Sequence, residues 1–180
     1  MCLIEYYTYD DYKHWEGDWE LIYGQPIAMA PSPLRTHQNL LGMFVYELNK
    51  TLKDCEEYEV LVEEDYIVYE DTILRPDVSV VCNEEGDFIT KALEIVVEVV
   101  SKSSAKKDEK IKFEIYEKEN VKYYILAYPD RLIAKVYKNE NSKFKKIGDF
   151  SKETLKLNDN LNCEVEIDFD NVFKKLRRRK

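Results

Sequence analysis

Several features that would identify a familiar class of protein are missing from this 180-residue chain. No apolar run is long enough to span a membrane, and residues 1–5 do not resemble a signal peptide. The chain has only five glycines and no glycine-rich phosphate loop, and it shows neither an internal repeat nor a long linker. These absences predict one domain over residues 1–180, without a membrane partner.

The four cysteines are spread widely, at Cys2, Cys55, Cys82 and Cys163. None has a second cysteine or a histidine at the short spacing of a zinc site, which argues against structural zinc. Isolated cysteines of this kind favour reduced thiols in the cytoplasm. The many Lys, Glu, Asn and Tyr residues are typical of an AT-rich prokaryotic genome, so we expect a prokaryotic, cytoplasmic protein.

Charge is unevenly distributed along the chain, whose net charge is −9. Residues 1–101 hold 6 of the 27 basic residues and 22 of the 36 acidic ones, so residues 102–180 are basic overall. Net acidity discourages nucleic-acid binding, although the basic part could face phosphates. A solvated acidic surface beside a lysine-rich one explains the same pattern without a ligand. The basic tail at about 174–180 is either phosphate-seeking or an ordinary disordered terminus.

Hydrophobic periodicity predicts a mixed α/β fold with a hairpin near each end. Apolar residues at helical spacing predict an amphipathic helix over 34–53. Alternating residues predict a strand pair at 58–62 and 65–69. The other peripheral elements predicted are a helix that starts at Thr8, a hairpin over 19–29 that turns at Gly24, a hairpin of 132–137 with 144–147, and a short helix from Asp168.

The middle of the chain predicts a β-β-α-β core. One strand follows Asp77 and a second lies within Leu93–Val100; a lysine-bearing helix then runs from Ala105 to Lys118 and a strand covers Tyr123–Ala127. Because a helix joins the last two strands, they should lie parallel in a mixed sheet flanked by helices.

Glu98 is the most unusual residue, because it lies within an apolar, β-branched run. A carboxylate buried in a strand costs several kcal/mol unless a cation, a proton or hydrogen bonds compensate it. A second acid, Asp77, precedes another apolar run. Asp108, Lys112 and Tyr116 recur every four residues, so they should share one helix face, from which Lys112 could reach between the two acids.

Two carboxylates and a lysine are the groups that metal-dependent phosphodiester hydrolysis requires. Mg²⁺ prefers oxygen ligands and usually takes one or two carboxylates plus the substrate phosphate. The ion activates water and neutralises charge, and a lysine can orient the water or stabilise developing negative charge. We therefore predict that Asp77 and Glu98 hold Mg²⁺ or Mn²⁺, that Lys112 assists, and that Asp108 holds the lysine in place.

The order of these motifs resembles that of the Uma2 family, described as "putative restriction endonucleases" and part of the PD-(D/E)xK nuclease superfamily. The resemblance covers roughly residues 8–150. It implies a restriction-endonuclease-like fold and DNA as the substrate; cutting both strands of a duplex would then require a two-fold homodimer. The motifs that carry it are Arg75-Pro76-Asp77, Glu98 to Ser101, the spacing of Asp108, Lys112 and Tyr116, Val121 to Tyr124, Trp19 to Gly24, and His37.

By this resemblance Asp77 and Glu98 are the metal-binding acids, and the backbone carbonyl near Val99 adds a ligand. The chain departs from the superfamily's E-x-K pattern, since the residue two positions after Glu98 is Val100 rather than lysine. Lys112 on the following helix is the implied substitute.

Each candidate residue also has a structural interpretation. Glu98 and Lys112 could form a buried ion pair, and Asp77 could be a turn residue at a strand entry. Glu20 could be an extra acid in the cleft or lie on the exposed face of a hairpin. His37 could bind substrate or make a polar contact in the first turn of its helix.

The same residues allow three functions. A metal-dependent endodeoxyribonuclease fits the acids and the lysine best, with Tyr116 expected to pack and hydrogen-bond rather than catalyse. A non-catalytic protein that keeps the nuclease fold to bind another protein or regulate a mobile element fits the net acidity. A paired-carboxylate glycoside hydrolase fits less well, because the chain is short and an adjacent lysine suits phosphate better than sugar.

Overall fold

The computed structural model describes residues 5–29, 34–158 and 161–178, which form a mixed α/β fold. The helices are α1 (Tyr9–Tyr12), α2 (Arg35–Leu52), a π-helix (Lys107–Lys112), α3 (Phe113–Lys118) and α4 (Phe169–Arg177). The strands are β1 (Trp19–Ile22), β2 (Gln25–Ala28), β3 (Tyr58–Val62), β4 (Tyr66–Tyr69), β5 (Thr72–Leu74), β6 (Val78–Cys82), β7 (Ile95–Val99), β8 (Tyr123–Tyr128), β9 (Ile133–Asn139), β10 (Phe144–Phe150), β11 (Thr154–Leu157) and β12 (Val165–Asp168).

A six-stranded sheet in the order β10-β9-β8-β7-β6-β3 forms the centre of the fold. Strands β7 and β8 are parallel, and the other neighbouring pairs are antiparallel. The helical segment 105–118 joins β7 to β8, because parallel neighbours need a crossover connection. Strand β7 is buried on both faces, as its β-branched sequence indicates. The predicted mixed sheet and its parallel pair are confirmed.

Side-chain alternation along β7 separates the two faces of this sheet. Ile95, Val97 and Val99 pack in a core formed with α2, α4 and the β11–β12 hairpin. Val96 lies in a second core, formed with α3 and strands from the N-terminal part of the chain. Because neighbouring residues of a strand point to opposite faces, Glu98 lies on the same face as Val96.

The predicted N-terminal hairpin is part of a smaller sheet in the order β2-β1-β5-β4. Its turn requires Gly24, whose φ is +72° and whose α-carbon faces the Tyr6 ring so closely that a larger residue would collide. Trp15 and Trp19 pack edge to face beside this sheet, with ring centroids 5.8 Å apart. Tyr12 completes the aromatic cluster.

The predicted pairing of strands 58–62 and 65–69 is wrong. Strand β3 pairs with β6 in the central sheet, whereas β4 pairs with β5 in the smaller one. The chain passes between the two sheets at Glu63, whose left-handed φ of 51° turns it away from a simple hairpin. Strand β5 has only three residues, too few for a periodic pattern, so the true partner of β4 could not be recognised from sequence.

The helix predicted from Ala105 to Lys118 is present but is not α-helical throughout. Its middle, Lys107–Lys112, is a π-helix, and α3 follows without a break. A π-helix has i→i+5 hydrogen bonds, is rare, and is frequently located at functional sites. The change of hydrogen-bond pattern alters which side chains share a face, and this matters for the site described below.

The expectation of reduced cysteines is wrong for one pair, because Cys55 and Cys163 form a disulfide. Cys55 follows α2 and Cys163 precedes β12, and these two elements pack against each other. The cysteines are 108 residues apart in sequence, so only the tertiary contact brings them together. Within the described residues Cys82 is free, and Cys2 lies outside them.

The C-terminal hairpin predicted at 132–137 and 144–147 is confirmed as β9 and β10. The final helix also begins as predicted, with the Asp168 carboxylate accepting a hydrogen bond from the Asn171 N–H at 3.1 Å. Helix α4 includes the first basic residues of the predicted tail, and Arg177 pairs with Asp170 at 2.7 Å. Residues 179 and 180 lie outside the described part. Among the described helices, none combines the length and apolarity needed to cross a bilayer.

Candidate active site

The two acids predicted to bind a metal lie on neighbouring strands. Asp77 is the residue before β6, and Glu98 is in β7. The antiparallel register pairs Val78 with Val97, so its continuation by one residue sets Asp77 opposite Glu98. Residues opposite each other in such a pair have Cβ atoms about 4.5–5.5 Å apart and share a face. The two carboxyl groups are therefore neighbours.

Asp77 is held by the backbone of the adjacent strand and by a helix. Its Oδ2 accepts a hydrogen bond from the Val99 N–H at 2.6 Å and lies 3.2 Å from His37 Nε2. His37 is in the first turn of α2. Burial acts to lower the pKa of His37, but the hydrogen bond and charge of Asp77 outweigh it and raise that pKa. His37 thus orients Asp77.

Glu98 receives its hydrogen bonds from the helical segment that packs on the same face. Its Oε1 lies 2.8 Å from Lys112 Nζ and accepts from the Tyr116 hydroxyl at 3.2 Å. Lys112 is 1% exposed and Glu98 is 3% exposed, so their ion pair is almost dry. Burial and the charge of Glu98 raise the pKa of Tyr116 well above its usual value, which keeps its hydroxyl a donor.

Glu20 is the second partner of Lys112. Its side chain is completely buried, and its Oε1 lies 2.7 Å from Lys112 Nζ. The Arg75 N–H donates to the same oxygen at 3.0 Å, and Lys107 pairs with Oε2. Although burial acts to raise the pKa of Glu20, the charges of Lys112 and Lys107 lower it overall. Glu20 is therefore an ionised carboxylate with both oxygens engaged.

Asp108 contributes at longer range. Its carboxyl group accepts a hydrogen bond from Ser104, and its backbone carbonyl accepts one from the Tyr124 hydroxyl at 2.9 Å. Burial raises the pKa of Asp108, and the charge of Lys112 partly offsets this. In the described part of the chain, the ion-pair partners of Lys112 are Glu20 and Glu98, so Asp108 acts on the lysine through its field rather than by contact.

Negative charge exceeds positive charge in this cluster. Complete burial raises the pKa of Glu98 well above its usual value; Lys112 opposes the rise, and three neighbouring carboxylates add to it. The acids are Glu20, Asp77, Glu98 and Asp108, and the lysines are Lys107 and Lys112. A further cation, or a proton on Glu98, would relieve the imbalance.

The free oxygens of the two acids fit a hard cation. Within the described residues, Asp77 Oδ1 and Glu98 Oε2 receive no hydrogen bond. Neither oxygen belongs to the set of fully buried polar atoms that lack a hydrogen-bond partner. No group of three or more His, Cys, Asp or Glu residues with metal-binding geometry is found in those residues. Two carboxylates with water and phosphate are a common set for Mg²⁺, so the residues fit that ion but not a closed, all-protein cage.

The structure brings most of the candidate residues together and adds two that sequence reasoning missed. Glu98, Lys112 and Tyr116 are in direct contact, and Asp77 and His37 form a second contacting pair. Glu20 was ambiguous in the sequence and lies at the centre of the ion pairs. The residues missed were Lys107, one lysine in a lysine-rich segment, and the backbone of Arg75, whose carbonyl accepts from Lys112 at 3.2 Å.

A cleft elsewhere in the molecule does not involve these acids. It has a volume of about 180 Å³ and is lined by the aromatic cluster and by the side chain of Arg75. The Arg75 guanidinium lies 2.8 Å from both Asp65 Oδ1 and Asp18 Oδ1. Its positive charge is thus neutralised on that side of the molecule, away from the acidic cluster.

Comparison with known proteins agrees with this description. A solved structure from Anabaena variabilis, described as a "putative nuclease", superposes with a TM-score of 0.75 at 17% identity and covers 94% of this chain and 98% of its own. This similarity confirms the restriction-endonuclease-like fold class. No curated protein matches. The model of the Uma2 family, "Putative restriction endonuclease", matches residues 5–169. The chain therefore belongs to the Uma2 family.

Proposed function

We propose that this protein is a metal-dependent endodeoxyribonuclease that hydrolyses phosphodiester bonds. Membership of the Uma2 family, whose description is "Putative restriction endonuclease", supports a nuclease and DNA as the substrate. The observation that carries the proposal is the pair of carboxylates on neighbouring strands, each with one oxygen free of protein donors, beside a buried lysine.

Asp77 and Glu98 would hold Mg²⁺ or Mn²⁺ through those free oxygens, and the Val99 carbonyl is a further proposed ligand. When bound, the ion would activate water and neutralise charge on the phosphate. The Val99 N–H and His37 hold Asp77 in one orientation, so little side-chain freedom is lost when a ligand binds. Tyr116 performs the same role for Glu98.

Lys112 would assist through its charge. An ammonium group has three donors, and here Glu20, Glu98 and the Arg75 carbonyl accept all three. The lysine is therefore fixed, and its positive charge favours the ionised form of Glu98 that a metal needs. Its field also favours negative charge that develops on a phosphate nearby.

Cleavage of supercoiled plasmid with Mg²⁺ or Mn²⁺ tests the proposal. Asp77→Asn and Glu98→Gln should each lower the rate by roughly 10²-fold or more, since each removes a charge at the reacting centre. Glu94→Gln is the matched control, because Glu94 is also buried, precedes the same strand and pairs with Lys122 outside the cluster. Equal cleavage by wild type and both site variants would disprove the assignment.

The proposal includes a two-fold homodimer, since two sites are needed to cut both strands of a duplex. Analytical ultracentrifugation with and without DNA measures this directly. A monomer that only nicks one strand would remove the dimer from the proposal and leave the chemistry intact.

A non-catalytic nuclease-fold protein is the second candidate. The net charge of −9 and the near-complete burial of Glu98 favour it. Titration calorimetry with Mn²⁺ separates the two functions: metal binding that Asp77→Asn abolishes, without cleavage of any nucleic acid, would support the non-catalytic protein.

A further inference from the structure

The proposed chemistry gives no role to Lys107, yet this residue contacts the acidic cluster. Lys107 is the first residue of the π-helix, and its ammonium group pairs with Glu20 Oε2, whereas Lys112 Nζ lies 2.7 Å from Oε1. The Lys107 side chain is 20% exposed, whereas Glu20 is completely buried. Lys107 therefore covers the solvent side of the Glu20 carboxylate.

The π-helix is what allows both lysines to reach one carboxylate. Lys107 and Lys112 are five residues apart, and in an α-helix such residues point about 140° apart around the axis. The i→i+5 hydrogen bonding of a π-helix brings residues at this spacing onto nearly the same face. The two lysines accordingly bind the two different oxygens of Glu20.

The second cation changes how Lys112 is shared. Lys112 lies between two buried carboxylates, Glu20 and Glu98, at 2.7 and 2.8 Å. If Lys107 were absent, Lys112 would be the one cation still paired with Glu20 among the described residues, beside the Arg75 N–H, and the stronger attraction would draw the ammonium group away from Glu98. We propose that Lys107 is a positioning residue, which neutralises Glu20 and so keeps Lys112 aimed at Glu98. This inference rests on the proposed nuclease function.

The first test compares three variants in metal-dependent plasmid cleavage. Lys107→Gln should lower kcat by roughly 10–100-fold and leave KM for DNA unchanged, because a small misplacement of a catalytic group has an effect of that size. Lys107→Arg keeps the positive charge and should restore most of kcat. Lys110→Gln, the same charge change at an exposed lysine of the same π-helix, should leave kcat unchanged.

A double-mutant cycle identifies the cause. If Lys107 acts by neutralising Glu20, Lys107→Gln should cost little in a Glu20→Gln background, where there is no charge to neutralise. The midpoint of thermal unfolding should show the same non-additivity, which gives a measurement independent of activity. A merely structural lysine would shift the unfolding midpoint without producing the selective fall in kcat.

Different outcomes overturn different claims. An active wild type whose kcat is unaffected by Lys107→Gln overturns the role of Lys107 alone. An equal fall of kcat in both Glu20 backgrounds also overturns the role of Lys107. A rise in KM at constant kcat overturns it as well, because the lysine would then contact DNA. A wild type that cleaves no DNA with either metal overturns the nuclease proposal, and the role of Lys107 with it.

Discussion

At the scale of single residues, the cluster around Lys112 shows how a buried charge is stabilised inside a protein. Two carboxylates and one carbonyl accept its three protons, so the ammonium group keeps the hydrogen bonds that it would make in water. Burial acts to lower the pKa of Lys112, but Glu20 and Glu98 raise it well above its usual value. The lysine is therefore charged at neutral pH.

Replacement of Lys112 by methionine should therefore be strongly destabilising. Lys112→Met keeps most of the apolar stem but leaves Glu20 and Glu98 without their shared cation, and breaking a buried ion pair in this way costs about 3–5 kcal/mol. Urea unfolding followed by circular dichroism measures the change. Lys110→Met is the control, with an expected change within about 0.5 kcal/mol at this exposed position. A loss below about 1 kcal/mol for Lys112→Met would contradict the buried-pair description.

The sequence predicted part of this cluster for an identifiable reason. A glutamate within a buried β-branched run is rare and needs a compensating charge. An ion pair between Glu98 and a lysine on the next helix could therefore be predicted from the sequence. Glu20 could not be assigned, because a four-residue strand does not reveal which of its faces is covered. Lys107 gave no signal at all, since its role depends on a π-helix that composition does not reveal.

At the scale of helices and strands, the long periodic elements were predicted, whereas a short element was predicted only where a turn, a cap or an alternating pattern marked it. The 18-residue helix α2 and the strands of the central sheet were found within one or two residues, except β10, which extends three residues beyond its predicted end. Strand β5, with three residues, and the β11–β12 hairpin were missed, whereas the four-residue strands β1 and β2 were found because Gly24 marked the turn between them. The pairing partners of strands were less predictable than the strands themselves, because tertiary contacts determine that β3 pairs in the central sheet and β4 in the smaller one.

Glu117 connects α3 to the β9–β10 hairpin and makes stability depend on pH. Its carboxylate accepts from the Phe144 N–H at 2.7 Å and lies 2.8 Å from Lys143 Nζ. Burial acts to raise the pKa of Glu117, but the Lys143 and Phe144 hydrogen bonds outweigh it and lower that pKa below its usual 4.5. A lowered folded-state pKa adds stability above the unfolded-state pKa, and this stability is lost as the pH falls through the folded value.

Glu117→Gln should consequently lower the free energy of unfolding by about 1–2 kcal/mol at pH 7, the usual effect of losing a charged hydrogen bond. The difference between wild type and variant should shrink as the pH is lowered from 4.5 towards acid. Unfolding curves at a series of pH values test this, with exposed Glu114→Gln as the control from the same helix. A difference that stays constant between pH 7 and pH 3 would mean that the charge of Glu117 is not responsible.

At the scale of the whole molecule, the disulfide joins distant parts of the chain. Cys55 and Cys163 are 108 residues apart in sequence, and the loop between them contains the whole central sheet and every candidate-site residue except Glu20 and His37. A cross-link restricts the unfolded chain, and the restriction grows with the length of the enclosed loop. We expect α2 to stay packed against β12 without the disulfide, because Leu40, Phe44 and Ile167 belong to one hydrophobic core.

Loss of this bond should lower stability without changing the fold. The chain-entropy model gives about 4.7 kcal/mol for a loop of about 100 residues, and measured values are often smaller. We expect Cys55→Ser with Cys163→Ser to lower the free energy of unfolding by about 2–5 kcal/mol, and a reducing agent to do the same to wild type. Cys82→Ser is the control. If reduction leaves the wild-type unfolding curve unchanged, the two thiols are not bonded in solution.

The aromatic cluster beside the smaller sheet has a practical consequence. The chain contains only two indole rings, and both belong to that cluster. Tryptophan emission will therefore report only on the N-terminal layer, that is, the smaller sheet β2-β1-β5-β4 with its aromatic cluster. Far-ultraviolet dichroism instead averages over every peptide group. Should the two signals diverge during denaturation, the lag between them would measure how independently the N-terminal layer detaches from the rest.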